Sequence, residues 1–139
     1  MTNKVLYDSD VLLDCILKRE PHYIESSKAL YKAVNHRVKG FIASHSVLNI
    51  AYILRKNYSN SELRSLLKEL ISYLPVISVD SRVINKALDS DIKDLEDAVI
   101  NYSAELNGVS CIITRNIDDY KNSTVLAVSP YEFNRQQQN

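Results

Sequence analysis

The stretch DLEDAVINYSAELNGVSCIITRNIDDY, residues 94–120, decides the fold of this chain, because it predicts a helix, a turn, a buried strand and an acidic loop in succession. Apolar residues at helical spacing form one stripe on its first half: Leu95, Ala98, Val99, Tyr102 and Leu106. Gly108 then ends the helix, and 109–114 is a short β-branched run typical of a strand buried in a parallel sheet. Polar and charged side chains follow the strand: Arg115, Asn116, Asp118 and Asp119.

The same arrangement occurs at the start of the chain. Residues 5–7 are a short apolar strand candidate, which Asp8, Ser9 and Asp10 follow at once, before the helical run 11–17. Ligands of open α/β sheets bind outside the carboxyl ends of the strands. Acidic residues at two strand ends therefore lie where a site is expected.

The rest of the chain alternates strand and helix signals. Further strands are predicted at 41–43, 76–79 and 125–128, with helical segments between them. This alternation predicts a three-layer α/β/α fold around a central, mostly parallel five-stranded sheet. No repeat or linker divides the chain, so we expect one domain over residues 1–133, followed by a frayed tail at 134–139.

Two consecutive helices carry much of the apolar surface. The segment 47–54 is apolar around most of its circumference, so we expect a largely buried helix. Ser59 and Glu62 have the spacing of a capping box. Five leucines follow at helical spacing: Leu63, Leu66, Leu67, Leu70 and Leu74. A small domain can bury only part of this surface, which favours a homodimer through the helices between residues 44 and 74; close packing within a monomer is the alternative.

The composition is that of one ordinary globular domain. Of the 139 residues, 45% are hydrophobic and 24% are charged, and the formal net charge is zero. The chain has no apolar run near the ~20 residues that a membrane helix needs and no signal-peptide core, so we expect a cytoplasmic protein. Cys15 and Cys111 fall inside a helix and a strand and are expected to be reduced core residues. Net charge gives no support to a nucleic-acid partner, which would need a local basic patch.

Residue types disfavour several kinds of site. Only two glycines occur, Gly40 and Gly108, so the chain has neither a P-loop nor a dinucleotide-binding motif. The histidines lack H-x-x-x-H spacing and the cysteines lie far apart, which disfavours zinc. Carboxylate chemistry remains, because converging aspartates can hold Mg²⁺ or Mn²⁺ and activate water for attack on a phosphate. Asp8, Asp97 and Asp119 would all lie at one edge of the sheet, although each alone also fits a helix cap, a dipole interaction or loop solvation.

Segments at both ends of the chain resemble the motifs of PIN domains, the metal-dependent ribonuclease fold found in VapC-type toxins. The opening DSDVLLD, residues 8–14, looks like the family's first motif, and 94–99 with 112–120 resembles its later motifs. The resemblance continues to 129–133 and so covers nearly the whole chain. It implies a PIN-like fold and an endoribonuclease that cleaves RNA phosphodiester bonds with metal-activated water. It also implies a Mg²⁺ or Mn²⁺ cofactor, an antitoxin partner and a homodimer.

The resemblance assigns roles residue by residue. Asp8 and Asp97 match two members of the family's metal-binding acidic quartet, and the segment from Asn116 to Asp119 supplies the last. Asp119 is favoured there because it keeps a carboxylate, with Asn116 beside it. Supporting positions near the site are Ser9, Asp10, Asn49, Thr114 and Asn116. Basic residues on nearby elements are candidate RNA phosphate contacts, with surface solvation as the alternative for each: Arg115, Lys121, Lys18 and Arg19.

One position departs from the family pattern and keeps other functions open. Asn49 stands where the family usually has a glutamate, so the site is expected to bind metal more weakly or to use Asp94 in compensation. A PIN-like module that binds RNA or a protein with weak or no catalysis is therefore one alternative. A phosphatase of the haloacid dehalogenase type is another, since residues 8–10 have its D-x-D form, but a convincing later lysine and a cap are missing.

Overall fold

The computed structural model describes residues 3–136 and contains one five-stranded sheet. Its strands are β1 (Lys4–Tyr7), β2 (Lys39–Ala43), β3 (Val76–Ile77), β4 (Cys111–Ile113) and β5 (Leu126–Val128). Their spatial order is β3-β2-β1-β4-β5, and every neighbouring pair is parallel. The predicted parallel α/β sheet is confirmed, with β3 two residues shorter than the sequence indicated.

Seven α-helices and one 3₁₀-helix connect the strands in the described part of the chain. They are α1 (Ser9–Leu17), α2 (Tyr23–Val34), α3 (Ser44–Leu54), α4 (Asn60–Tyr73), α5 (Ser81–Leu88), α6 (Leu95–Leu106), the 3₁₀-helix (Ile117–Tyr120) and α7 (Pro130–Arg135). Side-chain caps begin several of them, including Asp8 on α1 and Asp94 on α6. The capping box formed by Ser59 and Glu62 at α4 is present as predicted.

The helices cover both faces of the sheet. Alternate residues of β1 point to opposite sides: Val5 and Tyr7 join a cluster with α1 to α4 and α7, whereas Leu6 packs with Ile100 of α6. The Tyr7 hydroxyl donates to the Ala29 carbonyl at 2.7 Å, which ties α2 to the sheet. Helix α5 packs against α6. The predicted three-layer arrangement is therefore confirmed.

Strand register brings the predicted site elements to one edge of the sheet. Tyr7 of β1 lies opposite Ile113 of β4, and Leu6 lies opposite Phe41 of β2. The Asp8 amide donates to the Ile113 carbonyl at 2.9 Å, so the chain leaves β1 while still bonded to β4. The residues that follow β1 and β4 consequently face each other across adjacent strand ends.

Helix α3 is less buried than the sequence indicated. Its inner side carries Ile50 and Leu54, both fully buried, but Leu48 is 73% exposed and Tyr52 is 64% exposed. The helix packs against α1, α4 and β2, which leaves its outer side without a cover. The leucines of α4, in contrast, face the core, since Leu63, Leu70 and Leu74 are buried while Leu66 and Leu67 are partly buried against it.

The C-terminal helix extends two residues past the predicted domain boundary. Asn134 and Arg135, which the sequence places in a frayed tail, belong to α7. Both bind Glu25 of α2, with Arg135 Nη1 2.9 Å from its Oε1. The last residues of the predicted tail, 137–139, lie outside the described residues. Both cysteines are free, and no helix in residues 3–136 is long and apolar enough to cross a bilayer.

Candidate active site

The buried carboxylate of Asp8 forms the centre of the candidate site. It is 6% exposed, and its Oδ1 accepts from the Ser9 amide at 2.8 Å as the cap of α1. Its Oδ2 accepts from Thr114 Oγ1 at 2.9 Å and from Tyr120 Oη at 3.2 Å. Burial raises the pKa of Asp8, and these hydrogen bonds oppose that effect. The carboxylate is thus held in place by the exit of β4 and by the 3₁₀-helix.

Asp97 lies in the first turn of α6 and faces the same site. Its pKa is raised to about 7 by burial first, then by the negative charges of Asp8 and Asp94. The Tyr120 hydroxyl lies near enough to Asp97 to lower that pKa by a smaller amount. A single hydroxyl proton can be donated to only one carboxylate at a time. The pair of aspartates around Tyr120 therefore favours one added positive charge, a proton or a cation.

Further carboxylates surround this pair at the edge of the sheet. Asp94 caps α6, with its Oδ1 accepting from the Asp97 amide at 3.1 Å, and its remaining surface is exposed. Asp119 is exposed on the 3₁₀-helix, and its charge adds to the rise in the pKa of Asp97. Glu96 was not predicted from the sequence, yet burial, Asp8 and Asp94 raise its pKa. The sequence signal for Glu96 was its position beside Asp97 in the first turn of α6.

The donor atoms match a hard divalent cation in type but do not form a closed coordination shell. Carboxylate oxygens are the ligands that Mg²⁺ and Mn²⁺ prefer. The charge of Asp8 raises the pKa of Asp97, and a bound cation would relieve that repulsion. Within residues 3–136, however, no three potential ligands lie close enough together to hold a metal ion as they stand. A third ligand requires movement of an exposed side chain such as Asp119.

Asp10 connects α1 to the loop after β4. Its Oδ2 accepts from the Arg115 amide at 3.3 Å and from Asn116 Nδ2 at 3.1 Å, while its buried Oδ1 has no partner in the described part of the chain. Burial and the charge of Asp8 raise the pKa of Asp10 to about 6. Asn116 also donates its backbone amide to Thr114 Oγ1 at 3.1 Å. Asp10, Thr114 and Asn116 therefore shape the loop beside Asp8.

Arg115 and Arg19, two of the candidate phosphate contacts, both bind the carboxylate of Asp14. Arg115 holds the fully buried Asp14 through two bonds, from Nε at 2.6 Å and from Nη2 at 3.1 Å. Arg19 Nε donates to the same carboxylate at 3.0 Å, as does Ser26 Oγ at 3.0 Å. A buried carboxylate needs such partners because its desolvation is costly. The predicted helix 11–17 contained Asp14, but nothing in its spacing revealed the partner 101 residues away.

The remaining predicted positions lie around the site. Asn49 is partly exposed on α3, one turn after His45. Burial lowers the pKa of His45 and the charge of Asp8 raises it, which places the imidazole near the acidic centre. Lys18 is exposed and ends α1 in a left-handed conformation, with φ 51°. Lys121 is exposed after the 3₁₀-helix and lines a cavity of about 190 Å³ beside Asp119.

The fold agrees with comparisons to known proteins. The PIN domain model matches residues 4–118, so the chain belongs to the PIN domain family. A toxin-antitoxin complex from Klebsiella pneumoniae contains a similar chain, with 23% identity, a TM-score of 0.70, and coverage of 91% of this chain and 98% of that one. VapBC2 from Rickettsia felis, bound to a DNA fragment from its promoter, is similar at 16% identity and a TM-score of 0.68, with the same coverage. A search of curated proteins finds no match.

Proposed function

We propose that this chain is a metal-dependent endoribonuclease and the toxin of a toxin–antitoxin pair. The observation that carries the proposal is the meeting of Asp8 and Asp97 at the Tyr120 hydroxyl in a PIN domain. Carboxylates that raise one another's pKa bind a divalent cation favourably, because the cation neutralises their repulsion. PIN-domain chains from toxin–antitoxin complexes share the fold.

Asp8 and Asp97 would hold Mg²⁺ or Mn²⁺, and Asp119 and Asp94 would complete its shell directly or through water. A metal bound there supplies an activated water and stabilises charge on the phosphate under attack. The chain's own groups orient the ligands: Thr114 and Tyr120 fix Asp8 Oδ2, and the cap of α6 fixes the start of the helix that presents Asp97. Protons compete with the metal at Asp97, since its pKa is raised to about 7.

A second candidate function is a PIN-like module that binds RNA or protein and cleaves weakly. Two observations favour it: Asn49 brings no negative charge to α3, and the described residues hold no ready group of three ligands. The phosphatase alternative has no comparable support, since the family match favours a nuclease.

Three assays separate these functions. A labelled RNA pool and p-nitrophenyl phosphate are each incubated with the protein in Mn²⁺ or in EDTA, and binding of the RNA is measured in Ca²⁺. A ribonuclease cleaves RNA in Mn²⁺ only and leaves the phosphomonoester intact. A binding module retains the RNA without cleaving it, and a phosphatase releases p-nitrophenol.

The toxin role and its partners rest on the same site. Expression of an active toxin in the cytoplasm of a bacterial host should arrest growth of that host. The Asp8→Asn variant should not arrest growth. The antitoxin would relieve the arrest by covering an apolar surface or by placing a basic side chain at the acidic site. Growth that continues on expression of the active protein would contradict the toxin role while leaving the nuclease activity to the RNA assay.

We also propose that the chain forms a homodimer through the outer side of α3. Leu48 is 73% exposed, Tyr52 64% and Ile53 38%, and all three lie on one short helix. An apolar surface of this kind gains free energy when a second copy removes it from water. The two-fold related helix supplies an identical apolar surface, so the contact is self-complementary.

A further inference from the structure

A cavity of about 470 Å³ lies between α2 and α7, away from the acidic edge. Three cationic side chains line it, those of Lys28, Lys32 and Arg37, and no acidic residue does. Tyr31 and Asn134 also line the cavity. The cavity therefore combines positive charge, an aromatic ring and an amide, on a chain whose net charge is zero.

The positive charges in this cavity are not held in salt bridges. Among residues 3–136, none of Lys28, Lys32 and Arg37 forms one, although Lys28 attracts Glu25 over a longer distance and helps to lower the pKa of that carboxyl. Lys32 Nζ is instead held by the Phe133 carbonyl at 2.8 Å and lies 4.5 Å from the Phe133 ring. Burial and the charge of Arg37 lower the pKa of Lys32, so its ammonium gains from an incoming anion.

Asn134 ties α7 to α2 at the wall of the cavity. Its Nδ2 donates to the Glu25 carbonyl at 2.8 Å and to Glu25 Oε1 at 2.9 Å, which fixes the orientation of the amide. Its Oδ1 is buried and accepts no hydrogen bond in the described chain. The amide therefore shapes the wall, and the exposed side chains of Lys28, Tyr31 and Arg37 are the groups that a ligand can contact.

The Tyr31 ring supplies a second element of nucleotide recognition. Tyr31 is 60% exposed and lies on the same wall as Lys28 and Arg37. Exposed aromatic rings beside cations bind single-stranded nucleic acids by stacking on bases while the cations contact phosphates. Glu25 attracts Lys28, but its carboxylate is paired with Arg135 at 2.9 Å and forms no salt bridge with Lys28.

Helix α2 connects this cavity with the acidic edge. Its first half contributes Ser26, which donates to Asp14, and Asp14 binds Arg115 at the exit of β4. The helix has 12 residues and spans about 18 Å, a distance that several nucleotides can cover. A strand whose scissile phosphate lies at Asp8 could therefore follow α2 into the cavity.

We propose that the cavity lined by Lys28, Tyr31 and Arg37 binds a nucleotide of the RNA strand several positions from the cleaved bond. The inference rests on the proposed ribonuclease function and adds a substrate site distinct from the metal-binding carboxylates. Its consequence is that long RNA strands bind more tightly than short ones, through contacts that take no part in the chemistry.

The experiment measures fluorescence anisotropy of the full chain with single-stranded RNA in Ca²⁺. The probes are a 12-nucleotide RNA and a 3-nucleotide RNA too short to reach both sites. The test variant is Lys28→Glu/Arg37→Glu, and the charge-matched control is Lys68→Glu/Arg82→Glu, exposed positions on α4 and α5. Thermal unfolding of both variants verifies the fold.

We expect the test variant to bind the 12-nucleotide RNA at least about tenfold more weakly than the wild type. The slope of log affinity against log salt concentration should be smaller by about 1.4, because each of two lost phosphate contacts contributes about 0.7. The test variant should bind the 3-nucleotide RNA with the affinity of the wild type. The control variant should bind both RNA lengths with wild-type affinity. Tyr31→Ala should weaken the long strand about tenfold through lost stacking.

Two results would overturn the inference alone: equal affinity of wild type and test variant for the long RNA, or an equal loss of affinity in the charge-matched control variant. In either case Mn²⁺-dependent cleavage would still support the ribonuclease. A wild type that neither binds nor cleaves any RNA would overturn the proposed function and the inference together.

Discussion

The Tyr120 hydroxyl donates to Asp8 Oδ2 at 3.2 Å and lies near enough to Asp97 to lower its pKa, so one phenol acts on the two central carboxylates of the site. Both effects favour the ionised carboxylates, which are the forms that bind metal. The 3₁₀-helix that carries Tyr120 is therefore part of the site even though its tyrosine is buried.

Tyr120→Phe should weaken the binding of Mn²⁺ at pH 7. Without the hydroxyl, the pKa values of Asp8 and Asp97 rise, and protons compete more strongly with the metal. The loss of a hydrogen bond to a residue that ligates the metal typically lowers metal affinity by about tenfold or more. Calorimetric titration with Mn²⁺ at pH 7 and pH 8.5 measures the effect, which should be smaller at the higher pH. Equal affinities of the variant and the wild type at pH 7 would remove Tyr120 from the site.

The metal-free protein should lose stability as the pH rises from about 4 to about 7. The pKa of Asp97 is raised to about 7 in the folded state, above its unfolded value near 4, so the folded state binds more protons in this range. Asp97→Asn removes the effect and should be more stable than the wild type at pH 8, by at least about 1 kcal/mol after allowance for solvent screening. Urea unfolding in EDTA at pH 5 and pH 8 tests this, with the exposed Asp118→Asn as the control. If the difference in unfolding free energy between the wild type and Asp97→Asn were the same at pH 5 and pH 8, the raised pKa of Asp97 would be contradicted.

Asp14→Asn should destabilise the fold by about 1–3 kcal/mol, because two partly exposed arginines lose their charged buried acceptor. Arg115→Ala should cost more than Arg19→Ala, since Arg115 makes two bonds to Asp14 and is less exposed. Chemical denaturation of the three variants measures the order. If Asp14→Asn unfolded at the wild-type midpoint, the cluster would have no structural role.

Light scattering across a dilution series should give twice the 15.9 kDa chain mass for the wild type. Leu48→Glu should reduce the mass to 15.9 kDa, because a buried glutamate at the α3 contact is costly. The matched control is Leu88→Glu, which changes a 61% exposed leucine on α5 and should stay dimeric. A wild-type mass of 15.9 kDa at every concentration would exclude the dimer.

Local signals in the sequence were sufficient for the sheet and for the acidic strand ends. Val5 to Tyr7 and Cys111 to Ile113 are short apolar runs, and parallel pairing brings the residues after them together. The position of Asp8 beside Thr114 follows from that register alone. The helix caps at Asp94 and Ser59 likewise depend only on neighbours along the chain.

Contacts between distant segments could not be predicted in the same way. Asp14 lies on an apolar helix, and its pairing with Arg115 depends on how α1 packs beside the exit of β4. The exposure of Leu48 depends on which side of α3 the rest of the domain covers, and an evenly apolar helix carries no such information. The roles of both residues are set by tertiary packing.

The most direct test of the account is the rate of RNA cleavage in Mn²⁺ by the wild type, Asp8→Asn, Asp97→Asn and Asp118→Asn. Several kcal/mol of transition-state stabilisation by the metal corresponds to at least about a hundredfold in rate. We expect Asp8→Asn and Asp97→Asn to fall by that factor while remaining folded, and Asp118→Asn to cleave like the wild type. Wild-type cleavage rates in both Asp8→Asn and Asp97→Asn would contradict the account.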